Sequence, residues 1–365
     1  MNLTPLVFEH DRKTTLAGFR EAIYADPPRP PSITFAEYRA LNNHDRELFD
    51  QVREDFLRLK VRVETPEQKQ CARILTRLIA SNPRRKNSRR GLMISAPMFY
   101  GKTELALLLA QFVERKHAAR NPDYMRTGEV PVVWVEMTEH STGKALLAQI
   151  VEFLCPTITL NRSITTDRLK KMAVELLHTH QTKLLVIDEA HKLGGAEPSS
   201  IIKALQNESS ATVLLVGINL LAGRAFGSGD GQQVTMRCDL VELRKVSLTH
   251  SDGMSQWLDW VIQFDRNLPL IEHTKGVLYK NAISLHKASG GQLAVLALIV
   301  ERLVTSILDD AGRTGEQIDR VRLHAVLSSL KRFGPKGHRL KLEDLVDATV
   351  VKADLAVTSN EVDVA

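Results

Sequence analysis

The chain has 365 residues, enough for two domains or one large domain with appendages, and its 43% hydrophobic and 25% charged residues are ordinary for a globular protein. No apolar run approaches the roughly 20 residues of a membrane helix, and the first residues lack the basic start and apolar core of a signal peptide, so a cytoplasmic protein with no membrane contact is expected. The net charge of +6 is compatible with a nucleic-acid partner without requiring one, and Cys71, Cys155 and Cys238 show no metal-binding spacing and suit a reducing compartment.

Residues 1–33 read as irregular. A short helix fits about 15–25, after which Pro27, Pro28, Pro30 and Pro31 enforce an extended linker. The expectation is a flexible or partner-bound segment. Residues 34–81 turn helical, with Leu48, Val52, Phe56 and Leu59 recurring at three- and four-residue steps. A second helix starts at Thr65, where Pro66 suits the first helical position and Gln68 completes a capping box. Its apolar face is Cys71, Ile74, Leu75 and Leu78, and both helices are expected to brace the domain that follows. Residues 82–90 then carry five basic side chains and no acidic one. Such a run is either a solvated loop or a phosphate-contacting patch, for which Arg84, Arg85 and Lys86 are the candidates.

Apolar runs at 92–95, 131–137, 183–187, 212–216 and 240–246 read as buried strands, separated by helical patterns. Strands alternating with helices predict an α/β fold, a three-layer α/β/α core with a parallel sheet over residues 82–248. Beyond Leu248 the strands stop. Helical patterns at about 255–264, 276–286, 292–308 and 319–330 predict a small all-helical unit over 249–333, and the polar tail 334–365 is expected to be mobile.

The segment Ala96-Pro97-Met98-Phe99-Tyr100-Gly101-Lys102-Thr103 lies between the first strand and the helix that Lys102, Thr103 and Glu104 open. This strand–loop–helix setting is that of a phosphate-binding P-loop: helix-start amides face an anion, Lys102 adds positive charge and the Thr103 hydroxyl can ligate Mg²⁺. One position departs from the pattern, since Ala96 stands where the first glycine belongs. The run Leu184–Ile187 delivers Asp188 and Glu189 to a strand's C-terminal end, where open α/β sheets bind ligands. Asp188 suits Mg²⁺, and Glu189 suits orienting or deprotonating a water. Together they predict an ATP and Mg²⁺ site. Asp188-Glu189-Ala190-His191 also spells a helicase box, but no second sheet follows for a second motor domain, and that reading is rejected. After the next strand, Asn219 can serve as a polar sensor or be a plain turn residue. Arg224 and Arg237 come next, and Arg237 reads either as a surface arginine or as one that faces a neighbouring subunit's nucleotide.

The order of P-loop, second strand, Asp-Glu strand, polar sensor, arginine and helical lid resembles an AAA+ ATPase. More narrowly, the 91–102 segment, VPVVWVEMTEHSTGKALLAQIVEFL, LLVIDEAHKL and LLVGINLLAGRAF resemble the ATPases that regulate DNA transposition, of the TniB and TnsC type, related to the Mu target-selection ATPase. The resemblance covers about residues 35–310. It implies Lys102 and Thr103 for phosphates and Mg²⁺, Asp188 for Mg²⁺, Glu189 as catalytic base, Asn219 as sensor 1 and Arg237 as the arginine given in trans. It also implies a homo-oligomeric ring or helical filament on duplex DNA that works with a transposase and a target-selection protein. The DNA contacts would come from the loop His140–Lys144, through His140, Thr142 and above all Lys144. Two departures bear on turnover: Ala96, and a lid segment Ser289–Leu293 without the sensor 2 arginine, so hydrolysis is expected to be slow or dependent on DNA or a partner. Two other readings stay open, a signalling NTPase switch without DNA and a replication-initiator or helicase-loader ATPase.

Overall fold

The structure, a computed structural model, describes residues 5–10, 12–223, 225–227, 229–310, 312–330 and 341–346. Its elements run α1 (Leu16–Tyr24), α2 (Phe35–Ala40), α3 (Asn43–Lys60), α4 (Pro66–Ser81), β1 (Gly91–Ser95), α5 (Lys102–Ala118), β2 (Val132–Glu136), α6 (Gly143–Leu154) and α7 (Thr166–Thr179). There follow β3 (Leu184–Asp188), α8 (Glu197–Glu208), β4 (Thr212–Gly217), α9 (Asp230–Met236) and β5 (Cys238–Glu242). The helices α10 (Ser251–Asn267), α11 (Val277–Lys280), α12 (Ala282–Ser289), α13 (Leu293–Leu308) and α14 (Arg320–Ser329) complete the series. Arg224 and most of the expected tail lie outside the described residues.

Two units result, residues 8–24 with 65–243 and residues 1–7 with 25–64 and 244–365. In the first, all strands pair in parallel in the order β2-β3-β4-β1-β5, with helices flanking the sheet. β1, β3 and β4 are buried along their whole length, which is why they read as continuous apolar runs rather than alternating ones. Because the strands are parallel, Ser95, Glu136, Asp188 and Gly217 all end at one edge of the sheet, and the loops that carry the candidate residues leave from that edge. The fifth strand sits two residues earlier than expected. Its only fully buried position is Val241, so an edge strand with a half-exposed pattern gave a weak apolar signal.

The N-terminal segment corrects the expectation of flexibility. α1 buries Phe19 and Ile23 in the sheet's own core, with the Phe19 ring 6.3 Å from Trp134 and 5.9 Å from Phe153. Arg20 donates to the Glu129 carbonyl at 3.0 Å, and the Tyr24 and Tyr124 hydroxyls share a hydrogen bond of 2.7 Å. α4 belongs to the same unit and buries Cys71, Leu75 and Leu78; the Thr65 hydroxyl caps its start by accepting from the Gln68 amide, without the return bond from the Gln68 side chain that the expected capping box needs.

Residues 25–64 fall instead in the helical unit, where Leu57, Val61 and Val63 join the core of Trp257, Leu285, Leu296 and Leu303. α3 was expected to brace the sheet domain. Its buried Arg53 explains the different outcome: the guanidinium reaches Glu316 at 2.5 and 3.0 Å, bonds Asp50 and lies over the Phe49 ring. The helix expected over 276–286 is split at Asn281 into α11 and α12; the Asn281 amide bonds the Val277 carbonyl and the Val346 carbonyl. Among the described residues no single helix is long and apolar enough to cross a membrane.

Candidate nucleotide site

The P-loop leaves β1 at Ser95. Ala96 is buried, and its amide donates to the Gly217 carbonyl at 3.2 Å. Its backbone is not left-handed, so glycine's conformational freedom is not needed there, which accounts for the alanine. Left-handed geometry falls instead on Phe99, with φ of 62°, and on Gly101, with φ of 78°. Gly101 caps α5, and no side chain caps that helix start. The first-turn amides of Lys102, Thr103 and Glu104 are thus offered to an anion, with the helix dipole behind them. Pro97 and Met98 are exposed and Tyr100 is half-buried along the loop. Lys102 is buried and donates to the Pro97 carbonyl at 2.7 Å, curling over the loop it serves. Burial pushes its pKa down, against the pull of Glu189 and Asp188.

Asp188, 1% exposed, ends β3. Its Oδ1 accepts from the Thr103 hydroxyl at 3.4 Å and from the Glu189 amide at 2.9 Å. Burial raises its pKa, and Lys13, the Glu189 amide and Thr103 pull it back. A hydroxyl and a carboxylate side by side are the all-oxygen donor set that Mg²⁺ prefers, so these residues fit the ion.

Glu189 adopts a left-handed backbone, φ of 56°, which turns its side chain off the strand. Its Oε2 lies 3.0 Å from Lys192 Nζ and 3.8 Å from His191 Nε2. The hydrogen bond to Glu189 raises the pKa of Lys192. Asn219, also left-handed with φ of 45°, is exposed just beyond β4, the strand between β1 and β3.

The remaining candidates lie elsewhere. Arg237 precedes β5, at the opposite edge of the parallel sheet from the P-loop, and its Nη1 donates to Asn207 Oδ1 at 3.0 Å. It does not join Asp188 and Lys102 within this chain. Arg84, Arg85 and Lys86 are exposed before β1 at that same opposite edge. Their neighbours Arg89 and Arg90 are structural: Arg89 donates to the Asn207 and Ser209 carbonyls and Arg90 pairs with Asp239 at 2.7 Å. Of the loop expected over 140–144, only residues 140–142 follow β2 as loop at the P-loop edge; Gly143 and Lys144 already belong to α6, because Thr142 caps the helix there. His140 is exposed with φ of 59°, the Thr142 hydroxyl caps α6 through the Ala145 amide, and Lys144 donates to the Arg162 carbonyl at 3.1 Å. The structure therefore does not bring the two basic candidates together.

Sequence reading missed Lys13, Glu136 and Lys192. Glu136 had a signal, a carboxylate closing an apolar strand that pairs with Asp188 in register. Lys13 had none, being one charge in an irregular stretch. Its Nζ lies 3.4 Å from Glu136 and 3.6 Å from Asp188.

A parallel sheet in this order, a P-loop between β1 and α5, an acidic pair closing β3 and a helical C-terminal unit together define the AAA+ ATPase fold. Solved structures agree on that fold. The chain is 15% identical to Cdc6p from Pyrobaculum aerophilum, covering 74% of this chain and 69% of that one with a TM-score of 0.52. It is likewise 15% identical to the Aeropyrum pernix ORC2 protein in its ADPNP-ADP complexes, over 73% of this chain and 68% of that one, with a TM-score of 0.53. The chain belongs to the TniB family, whose description, Bacterial TniB protein, matches residues 56–247, more than half of its length. No curated protein matches it.

Proposed function

We propose that this protein is a cytoplasmic, ATP-dependent, DNA-binding regulator of DNA transposition. It assembles as a ring or helical filament on duplex target DNA, recruits or activates a transposase, with or without a target-selection protein, and disassembles when ATP is hydrolysed. The observation that carries the nucleotide half is the meeting of Thr103 and Asp188 at 3.4 Å beside an uncapped helix start. Membership of the TniB family supports the transposition half.

In this reading the loop amides beyond Pro97 and the first-turn amides of α5 cradle the phosphates, and Lys102 leaves the Pro97 carbonyl for a phosphate oxygen. Thr103 and Asp188 hold Mg²⁺, which when bound neutralises charge on the phosphates. Glu189 orients and deprotonates the attacking water, which requires it to loosen its pairing with Lys192. Asn219 hydrogen-bonds the terminal phosphate and that water. Arg237 acts on a neighbouring subunit's nucleotide, in keeping with its place at the far edge of its own sheet. His140, Thr142 and Lys144 contact DNA phosphates, Lys144 with the N–H groups left beside its bond to Arg162, and Arg84, Arg85 and Lys86 form a second contact.

The test is electron microscopy of the purified chain with ATP and duplex DNA. Rings or filaments are expected, with DNA affinity falling steeply as salt rises because phosphate contacts release counterions. A monomer under ATP and DNA would sink the assignment. Assembly with ATP alone, indifferent to DNA, would favour a nucleotide switch instead.

A further inference from the structure

Lys13 reaches the site from a stretch that carries no motif. Its Nζ sits 3.4 Å from Glu136 Oε2 and 3.6 Å from Asp188 Oδ2, and 4.9 Å from the centroid of the Trp134 ring. Glu136 and Asp188 are register partners on β2 and β3, so two like charges stand side by side, one of them almost fully buried. Water screens that pair from the Glu136 side only, and the ammonium between them offsets what repulsion remains. Thr103 holds one oxygen of Asp188 and Lys13 the other.

The backbone that presents Lys13 is anchored. Phe19 and Ile23 are buried in the core, and a Cβ on Gly18 would come within 2.3 Å of the Arg12 carbonyl oxygen, so α1 starts hard against the Lys13 turn. The side chain is not confined in the same way. Lys13 and Glu136 line a cavity of about 520 Å³ together with Phe8, His10 and Thr14, which gives the ammonium room to leave Asp188 while keeping Glu136.

We propose that Lys13 is a positioning residue of the nucleotide site, a tethered cation that bridges Glu136 and Asp188, competes with Mg²⁺ for Asp188, and swings toward Glu136 when Mg²⁺ and ATP bind. Lys13 thereby sets how much Mg²⁺ the site requires. This inference rests on the reading of Asp188 as the Mg²⁺-holding residue.

The experiment is a Mg²⁺ titration of fluorescent ATP-analogue binding to the full chain, followed by anisotropy, with a parallel series in EDTA. Lys13→Gln, and Lys13→Met, which keeps an aliphatic stem over Trp134, are expected to lower the half-saturating Mg²⁺ concentration by about tenfold, the order expected for removing a partly screened charge from the ion's neighbourhood. Lys13→Arg should stay within about twofold of the parent, because a cation remains. Binding in EDTA should not change in either neutral variant. An unchanged or higher Mg²⁺ requirement in both neutral variants would overturn the proposal. Asp188→Asn separates the two levels of the reading. If it leaves Mg²⁺-dependent binding intact, the site assignment itself fails. If it abolishes that dependence while the Lys13 variants behave as the parent, only the role of Lys13 fails.

Discussion

Thr103 and Asp188 are 85 positions apart in the chain, and the hydroxyl of one donates to the carboxylate of the other at 3.4 Å. The contact spans β4, since Thr103 opens the helix after β1 while Asp188 closes β3. It brings the start of α5, which no side chain caps, beside the acidic end of β3.

Glu189→Gln is expected to bind ATP as the parent does and to hydrolyse it about 10²–10⁴ times more slowly, the usual worth of a general base. Phosphate release and ATP-analogue binding measured on the same preparation check this. Normal turnover would transfer the role of base to another residue.

Arg237 should act between subunits. Arg237→Ala and Lys102→Ala are each expected to be inactive alone, and mixing them should restore part of the hydrolysis, because some interfaces then join an intact P-loop to an intact arginine. Activity that never rises above the two separate preparations would leave Arg237 as the partner of Asn207 and nothing more.

Phe19→Ala removes a fully buried ring from between Trp134 and Phe153 and should cost about 3–5 kcal/mol. Urea denaturation gives the value. A loss below about 1 kcal/mol would mean that α1 contributes little to the sheet unit.

Arg53→Ala takes one of two guanidiniums from a buried carboxylate. Glu316 would lose both Arg53 bonds while keeping Arg313 at 3.2 Å and the Ile271 amide, so the cost should fall below the cost of a buried pair broken outright, about 3–5 kcal/mol. The same denaturation series, read on the Trp257 and Trp260 fluorescence of the helical unit, reports it. A loss near zero would mean that Arg313 alone suffices for Glu316.

Glu114 lies 1% exposed and accepts from the Tyr124 hydroxyl at 2.7 Å, and burial holds its carboxyl above the ordinary range. A carboxyl whose folded pKa is raised contributes stability in acid, fully present below its unfolded value and lost as pH rises through its folded one. Glu114→Gln stays neutral throughout. The melting temperature of the variant relative to the parent should therefore rise between pH 4 and pH 8. A difference that stays flat over that range would show that Glu114 keeps its ordinary pKa.

The P-loop and the acidic pair were legible because each is written in a few consecutive residues whose chemistry admits few other uses. Arg237 was legible as a residue type at a position, and within this chain it is held by Asn207 away from Lys102 and Asp188. The basic run at 82–90 divided on folding: Arg89 and Arg90 were drawn into carbonyl and carboxylate partners, while Arg84, Arg85 and Lys86 stayed exposed. No local pattern separates five adjacent cations by partners that lie more than a hundred positions away.

By itself the sequence determined the α/β class, the P-loop, Asp188 with Glu189, and the helical C-terminal unit, since strands buried on both faces must be continuously apolar and helices with one dry face must repeat every three to four residues. The strand order, the burial of α1, the pairing of Arg53 with Glu316 and the arrival of Lys13 beside Asp188 were decided by tertiary structure alone. Each is a contact between residues distant in the chain, chosen by which surfaces could be buried together and which charges could be offset there. A lone lysine in an irregular segment carries no periodicity to announce it. Only the packing of Phe19 and Ile23 against the sheet places its ammonium at Asp188, the carboxylate the sequence had already marked, and at Glu136, which it had not.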